Sequence, residues 1–174
     1  VCVIGGGPAG LGAALAALEE GKQVVLIENR AELGGHSLFD LSPVSGSPVS
    51  ELNGQPAYQA AQTLIEELAD SPNLEVMVNT TVFALYEDNL VAAQCGSDMF
   101  KIRAESVVLC PGATDRLLVF ENNDLPGVIS ARAVERSIAR HGVLPDEDAV
   151  VVTTHDGGYH TAMMLHGAGA KVMA

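Results

Sequence analysis

Val1-Cys2-Val3-Ile4-Gly5-Gly6-Gly7-Pro8-Ala9-Gly10 opens the chain, and its reading decides the fold. The apolar run to Ile4 is strand-like, and the glycines that stop it stand at the G-x-G-x-x-G spacing in Gly5, Gly7 and Gly10. Leu11, Ala14, Leu15 and Leu18 then recur at helical spacing, and Gly21 closes that helix. Val24 to Ile27 is a second continuous apolar run, as a parallel strand covered on both faces requires, and acidic Glu28 ends it. Together these pieces make a βαβ unit.

Each piece has a chemical job. Gly5 permits the tight turn, Gly7 lets the backbone approach a pyrophosphate, and Gly10 lets the helix pack closely on the sheet. The helix start, with Pro8 at its first position and Ala9 next, offers unpaired N–H groups from its non-proline residues and the positive end of a dipole. Glu28 is placed to accept hydrogen bonds from a ribose 2′- and 3′-hydroxyl pair, and its charge disfavours a 2′-phosphate, hence NADP. The glycine spacing alone is a weak signal and also fits a purely structural turn. The strand before it, the helix after it and the acid in register decide for a dinucleotide.

Composition narrows the partners. The 174 residues are 48% hydrophobic, enough for a core of about one domain. Nine basic against 22 acidic residues give a net charge of −13, which repels nucleic acid and anionic membrane surfaces. No run reaches the ~18 apolar residues of a membrane span. Cys2, Cys95 and Cys110 form neither a disulfide framework nor a metal spacing. Cys2 and Cys110 read as core thiols, and a reducing, cytoplasmic setting fits.

Further along, residues 36 to 56 form a long Ser/Pro/Gly/Asn-rich loop, and Ala57 to Ala69 an amphipathic helix stopped by Asp70-Ser71-Pro72. Leu74 to Tyr86, Leu90 to Gln94 and Phe100 to Arg103 read as three strands. Val107 to Cys110 is another apolar run, halted by Pro111-Gly112. A helix from Ser130 to Arg140 has Ser130 as N-cap and Gly142 as stop. Ala149 to Val152 opens a new strand, with another beginning at the C-terminal end. The expected fold is α/β: a Rossmann-like FAD/NAD(P)-binding domain, with a parallel sheet and a small antiparallel meander, over residues 1–145. Residues 146–174 begin a second Rossmann-like domain. A chain that begins and ends inside strands reads as a piece of a longer one.

Val3 to Gly10, then Glu28-Asn29-Arg30 and Leu33-Gly34-Gly35, resemble the two-dinucleotide-binding-domain flavoprotein superfamily, which is glutathione reductase-like. Val107 to Ala113 is similar to its second signature, with Cys110-Pro111 in place of Ala-Thr and Gly112 kept. Disulfide reductases of that superfamily carry a cysteine pair after the Gly-Gly. Here His36-Ser37-Leu38-Phe39 follows and no C-x-x-C exists, so a dithiol mechanism has no support. Arg116 followed by Val119 to Val128, Arg140 to Pro145 and Val151 to Tyr159 resemble the α subunits of heterotetrameric sarcosine oxidase and the related opine oxidase and hydrogen cyanide synthase subunits.

That narrower resemblance implies NAD+ at the first turn, where the broader one implies FAD. It places Glu28, Asn29, Arg30 and His36 on the adenosine side, with Gly35 at its edge and Val82 on the strand that touches adenine. It also implies that amine oxidation belongs to a partner subunit of a hetero-oligomeric oxidase. No catalytic residue is expected in these residues.

The C-terminal unit departs from the pattern. Thr154-His155-Asp156-Gly157-Gly158-Tyr159 lacks the glycine spacing, and Asp156 puts a carboxylate where a pyrophosphate would sit. His155, His160 and His166 fit a helix surface or cleft better than a metal site. Arg116 fits a cofactor contact or a solvated charge equally. Glu19-Glu20 and Glu66-Glu67 fit solvated helix faces, and no Ser-His-Asp arrangement is visible. Three functions stay open: the nucleotide-binding part of a secondary-amine oxidoreductase subunit, an FAD-binding NAD(P)H-dependent oxidoreductase, and a non-catalytic nucleotide-binding assembly subunit.

Overall fold

The opening apolar run forms strand β1 (Cys2–Ile4), the glycine turn leads into helix α1 (Pro8–Glu19), and β2 (Val24–Ile27) runs parallel to β1. A computed structural model describes residues 1–173. Pro8 takes the first helical position, where a missing N–H costs nothing and a fixed φ favours the helix. The parallel sheet is completed by β3 (Leu74–Met77) and β7 (Val107–Leu109), in the order β3-β2-β1-β7.

Continuous apolarity in β1 and β2 follows from cover on both faces. Val3, Val24 and Leu26 share one buried cluster with Leu11 and Ala14 of α1 and Leu68 of the helix α2 (Ala57–Ala69). The alternate residues Cys2 and Ile27 join Val91 in a second cluster, with Ile4, Val25, Val82 and Ile102 packed around it. That second cover is an antiparallel meander of β4 (Thr81–Tyr86), β5 (Leu90–Cys95) and β6 (Asp98–Arg103), with β5 in the middle. Each fully buried Leu or Val contributes about 1.5–3 kcal/mol, so these two clusters dominate this unit's stability.

One expected element divides. The apolar stretch from Leu74 to Tyr86 is two strands, β3 in the parallel sheet and β4 in the meander. The cause is a turn at Asn79, whose φ is +52. There the Asn79 N–H donates to the Arg30 carbonyl at 2.8 Å and the Thr80 N–H to the Glu28 carbonyl at 2.9 Å, so the chain wraps the end of β2 before leaving. The loop from 36 to 56 is ordered by short 3-10 turns at Gly35–Phe39 and Ser50–Leu52. Its neck is closed by the Val44 N–H donating to the Gln55 carbonyl at 2.8 Å.

The chain separates into two compact units. The first is Val1–Leu38 with Pro43–Gly112; the second is Phe39–Ser42 with the chain from Ala113 on. The second contains α3 (Ala131–His141), β8 (Asp148–Val150), α4 (Gly157–Gly167) and β9 (Lys171–Met173), with β8 and β9 parallel. Helix α3 thus groups with α4, although the sequence placed it with residues 1–145. The Thr161 hydroxyl of α4 donates to the Glu135 carboxylate of α3 at 2.6 Å, both side chains being buried. The Ser130 hydroxyl accepts from the Ala133 N–H, and Gly142 stands in the left-handed region, so both expected ends of α3 are realised.

Segment Phe39–Ser42 is held within the second unit at two points. The Arg136 guanidinium lies 4.9 Å from the centre of the buried Phe39 ring. The Ser42 hydroxyl lies 2.7 Å from His160 Nδ1, and His160 Nε2 lies 3.4 Å from Asp40. The fold therefore gathers a serine, a histidine and an aspartate that the sequence reading did not connect. Asp40 also accepts the Ser42 backbone N–H at 2.8 Å, so the group fixes this segment to α4.

Burial pushes the Cys2 thiol above its ordinary value of 9.0. A folded value above the unfolded one means that this contribution to stability is complete below pH 9.0 and is lost as pH rises past it. In the native full-length protein a thiol reagent is expected to modify the partly exposed Cys95 and Cys110 and to spare Cys2 until denaturant opens the sheet. Modification of Cys2 at the rate of the other two would contradict the packing described.

Candidate functional site

The first glycine turn is built by three close approaches. A side chain at Gly5, whose φ is +105, would overlap the Cys110 carbonyl on the exit of β7. One at Gly10 would overlap the Gly5 carbonyl, so α1 passes directly over the end of β1. The Cys110 N–H donates to the Ile4 carbonyl at 2.7 Å and the Gly5 N–H to the Ile27 carbonyl at 2.8 Å, which carries the sheet up to the turn.

Glu28 ties the turn to β2. It is only 5% exposed. One carboxylate oxygen accepts the Gly6 N–H at 2.7 Å, and the other accepts the Arg30 N–H at 2.9 Å. Charge-assisted bonds of this kind are about twice as strong as neutral ones. A carboxylate has roughly four acceptor sites, so each oxygen keeps capacity for a further donor. The Gly34 N–H donates to the Gly6 carbonyl at 2.7 Å, which brings Gly34 and Gly35 against the turn. A Cβ on Gly35 would lie 2.8 Å from the Gly7 Cα.

Gly7 differs from its neighbours. Its backbone is extended at φ −75 and ψ −175, and the nearest atom to an added Cβ is the Gly35 Cα at 4.0 Å. Neither the backbone nor the packing of this chain requires a glycine there. Among the described residues, no acceptor pairs with the N–H groups of Gly7, Ala9 or Gly10. Pro8 has no N–H to offer. The turn therefore presents open space, free donors and the positive end of α1 in one place, which is what an anionic phosphate requires.

The fold brings together Gly5, Gly7, Pro8, Ala9, Gly10, Glu28, the Arg30 backbone and Gly35. Asn29 and Arg30 are exposed just beyond β2, and His36 is half-buried in the 3-10 turn after Gly35. The Val82 side chain packs in the core with Cys2, Ile27 and Val91. Its backbone lies on β4, an edge strand whose outer N–H and C=O groups face away from β5. Gly112, with φ +73, is exposed two residues beyond the Cys110 contact and has no atom within 4 Å of an added Cβ.

Sequence reading passed over Gly6 and Thr80. A side chain on Gly6 would meet Leu33 and Glu28, and Thr80 is 2% exposed with its N–H on the Glu28 carbonyl. A glycine in the middle of the Gly5-Gly6-Gly7 run, outside the G-x-G-x-x-G positions, was the available signal for Gly6. Thr80 carried none.

The chain belongs to the pyridine nucleotide-disulphide oxidoreductase family, whose match spans residues 1–173. Within it the chain is similar to the alpha subunit of sarcosine oxidase from Rhizobium meliloti (strain 1021), at 34% identity over 99% of this chain and 18% of that subunit. An opine oxidase subunit of Agrobacterium tumefaciens (strain Ach5) is 27% identical over 96% of this chain and 34% of that protein. L-proline dehydrogenase from P. horikoshii superposes with a TM-score of 0.84 at 28% identity, covering 98% of this chain and 34% of that one. The chain thus spans less than a fifth of the sarcosine oxidase polypeptide that it matches.

Cys2, Cys95 and Cys110 are free thiols in the fold. Among the described residues, no group of three His, Cys, Asp or Glu side chains is placed to hold a metal ion, and no helix is long and apolar enough to cross a membrane.

Replacing Glu28 with alanine strands the Gly6 and Arg30 N–H groups beside the turn. The expected loss is about 2–3 kcal/mol of folding stability, read from urea unfolding of the full-length protein. Glu28→Gln, which keeps one carbonyl acceptor, should lose less. Equal stability in Glu28→Ala and the parent would remove Glu28 as the tie.

Proposed function

We propose that the first glycine turn holds the ADP half of a dinucleotide, and that the chain is the nucleotide-binding part of an oxidoreductase subunit in a complex oxidising a secondary amine of the sarcosine type. The observation that carries the first statement is Gly7. Gly5 and Gly10 are glycines because the chain would collide with itself. Gly7 is free of any such collision, so the space beside it is kept open for something other than this chain. The N–H groups of Gly7, Ala9 and Gly10, at the same helix start, have no acceptor among the described residues.

In this reading the pyrophosphate sits against Gly7, Pro8, Ala9 and Gly10 at the start of α1. The ribose hydroxyls donate to the remaining acceptor capacity of Glu28, which continues to hold Gly6 and Arg30. Asn29, Arg30, Gly35 and His36 flank the adenosine, and the edge of β4 at Val82 offers backbone groups to the adenine ring. Gly112 lets the chain turn away after β7 without crowding the site. A net charge of −13 does not oppose this, because the donors are backbone N–H groups. When bound, the dinucleotide supplies exchange of a hydride or of electrons. This chain's residues bind and orient it.

Relatives support the substrate class. The names of the sarcosine oxidase and L-proline dehydrogenase relatives specify sarcosine and L-proline, both secondary amines. The sarcosine oxidase and opine oxidase relatives are both named as subunits, which supports further subunits beside this one. NAD+ is the dinucleotide we assign; FAD is the second reading, because the site as described selects only the half that the two share.

Denaturing the full-length protein and identifying the released nucleotide distinguishes these. NAD+ supports the assignment, FAD replaces it with the second reading, and the absence of both overturns the binding proposal. Gly7→Val is expected to lose at least ~100-fold in affinity, about 2.8 kcal/mol, because its side chain fills the space beside the turn. Its unfolding midpoint should stay close to that of the parent. Undiminished retention by Gly7→Val would place the nucleotide elsewhere.

A further inference from the structure

The family's name implies a pyridine nucleotide, and the fold contains a second strand-turn-helix unit, β8 to α4, that could hold one. The residues of that unit do not fit a phosphate. A helix start binds an anion through the N–H groups of its first turn, which lack partners within the helix. In α4 those donors are the N–H groups of Asp156, Gly157, Gly158 and Tyr159, and the chain itself satisfies the last three. The Gly157 N–H donates to the His155 ring at Nδ1, 3.0 Å away. The Gly158 N–H donates to the His155 carbonyl at 3.2 Å, and the Tyr159 N–H to the Asp156 carbonyl at 3.0 Å.

His155 is held in that position. Its own N–H donates to the Thr153 hydroxyl oxygen at 3.2 Å, and that hydroxyl donates to the His155 carbonyl at 2.8 Å. Thr153 also fills the space beside Gly158, where an added Cβ would lie 2.7 Å from the threonine oxygen. Beside Gly157, an added Cβ would lie 2.7 Å from the His155 ring. The glycines of this turn therefore make room for the chain's own side chains, in contrast to Gly7. Asp156 precedes the helix with a carboxylate that makes no capping bond, and a negative charge at a helix start opposes binding of a second anion there.

We propose that the second turn is closed by its own chain, with His155 occupying the place of a phosphate, and that residues 1–173 hold one dinucleotide rather than two. Accepting from Gly157 requires Nδ1 to be unprotonated, so the ring's proton lies on Nε2. The count of one rests on the dinucleotide reading of the first turn; the closure of the second turn does not.

Equilibrium dialysis of the full-length protein against NAD+, NADH, NADPH and FAD, each alone, provides the test. Binding at the first turn is expected to be lost in Gly7→Val, and no ligand is expected to slow hydrogen exchange at Gly157, Gly158 and Tyr159. A site whose loading slows hydrogen exchange at Gly157, Gly158 and Tyr159, in the parent or in Gly7→Val, would overturn the proposal. Absence of binding by the parent would sink the dinucleotide reading of the first turn and leave the second turn closed as proposed. As a second arm, His155→Gly combined with Asp156→Ser removes the ring and the charge; its binding is expected to equal or exceed that of the parent. If that variant instead bound less while Gly7→Val still bound, His155 would be a ligand contact and the proposal would fail.

Discussion

The passage of α1 across the end of β1, with Gly10 against the Gly5 carbonyl, is the constraint on which the first unit depends. Any side chain at Gly10 would push the helix off the sheet. The helix could then no longer bring Leu11 and Ala14 onto Val3, Val24 and Leu26. The same passage sets the direction in which the first-turn N–H groups point. Packing and site geometry are therefore one feature here, and a change that loosens the first also misaims the second.

Glu28 extends that feature sideways. A buried carboxylate is costly unless it is hydrogen-bonded, and this one takes its bonds from two backbone N–H groups on the segments the site needs fixed. Its backbone carries the same load, accepting from Thr80 across the wrapped turn after β3. The result is a rigid corner made almost wholly of main chain. Such a corner suits an anion in a protein whose charged side chains are predominantly acidic, because a low count of basic residues does not limit it.

Two turns in the same chain reach opposite outcomes from similar elements. Both place glycines between a strand and a helix. At the first, the nearest atom to the missing Cβ of Gly7 is 4.0 Å away and the N–H groups of Gly7, Ala9 and Gly10 have no partner among the described residues; at the second, a threonine and a histidine fill the glycine space and the N–H groups of Gly157, Gly158 and Tyr159 are taken. Glycine content alone does not distinguish these cases. What lies within reach of the missing Cβ does.

That distinction marks how much was legible in the sequence. The βαβ unit, α2, both ends of α3 and the role of Gly5 and Gly10 follow from local patterns, and the structure has them. The split between β3 and β4 was hidden because the break at Asn79 depends on a left-handed backbone and on bonds to residues 28 and 30, far away in sequence. Glu28 was legible as an acid at a strand end but not as the tie for Gly6. The Ser42–His160–Asp40 group joins segments more than a hundred residues apart, and spacing carries no trace of it. Hydrogen exchange of the full-length protein, with and without the dinucleotide it retains, tests the central claim most directly. Loading should slow exchange in a peptide containing Gly7, Ala9 and Gly10 and leave one containing Gly157, Gly158 and Tyr159 unchanged. Slowing confined to the second peptide, or absent from the first, would contradict the account.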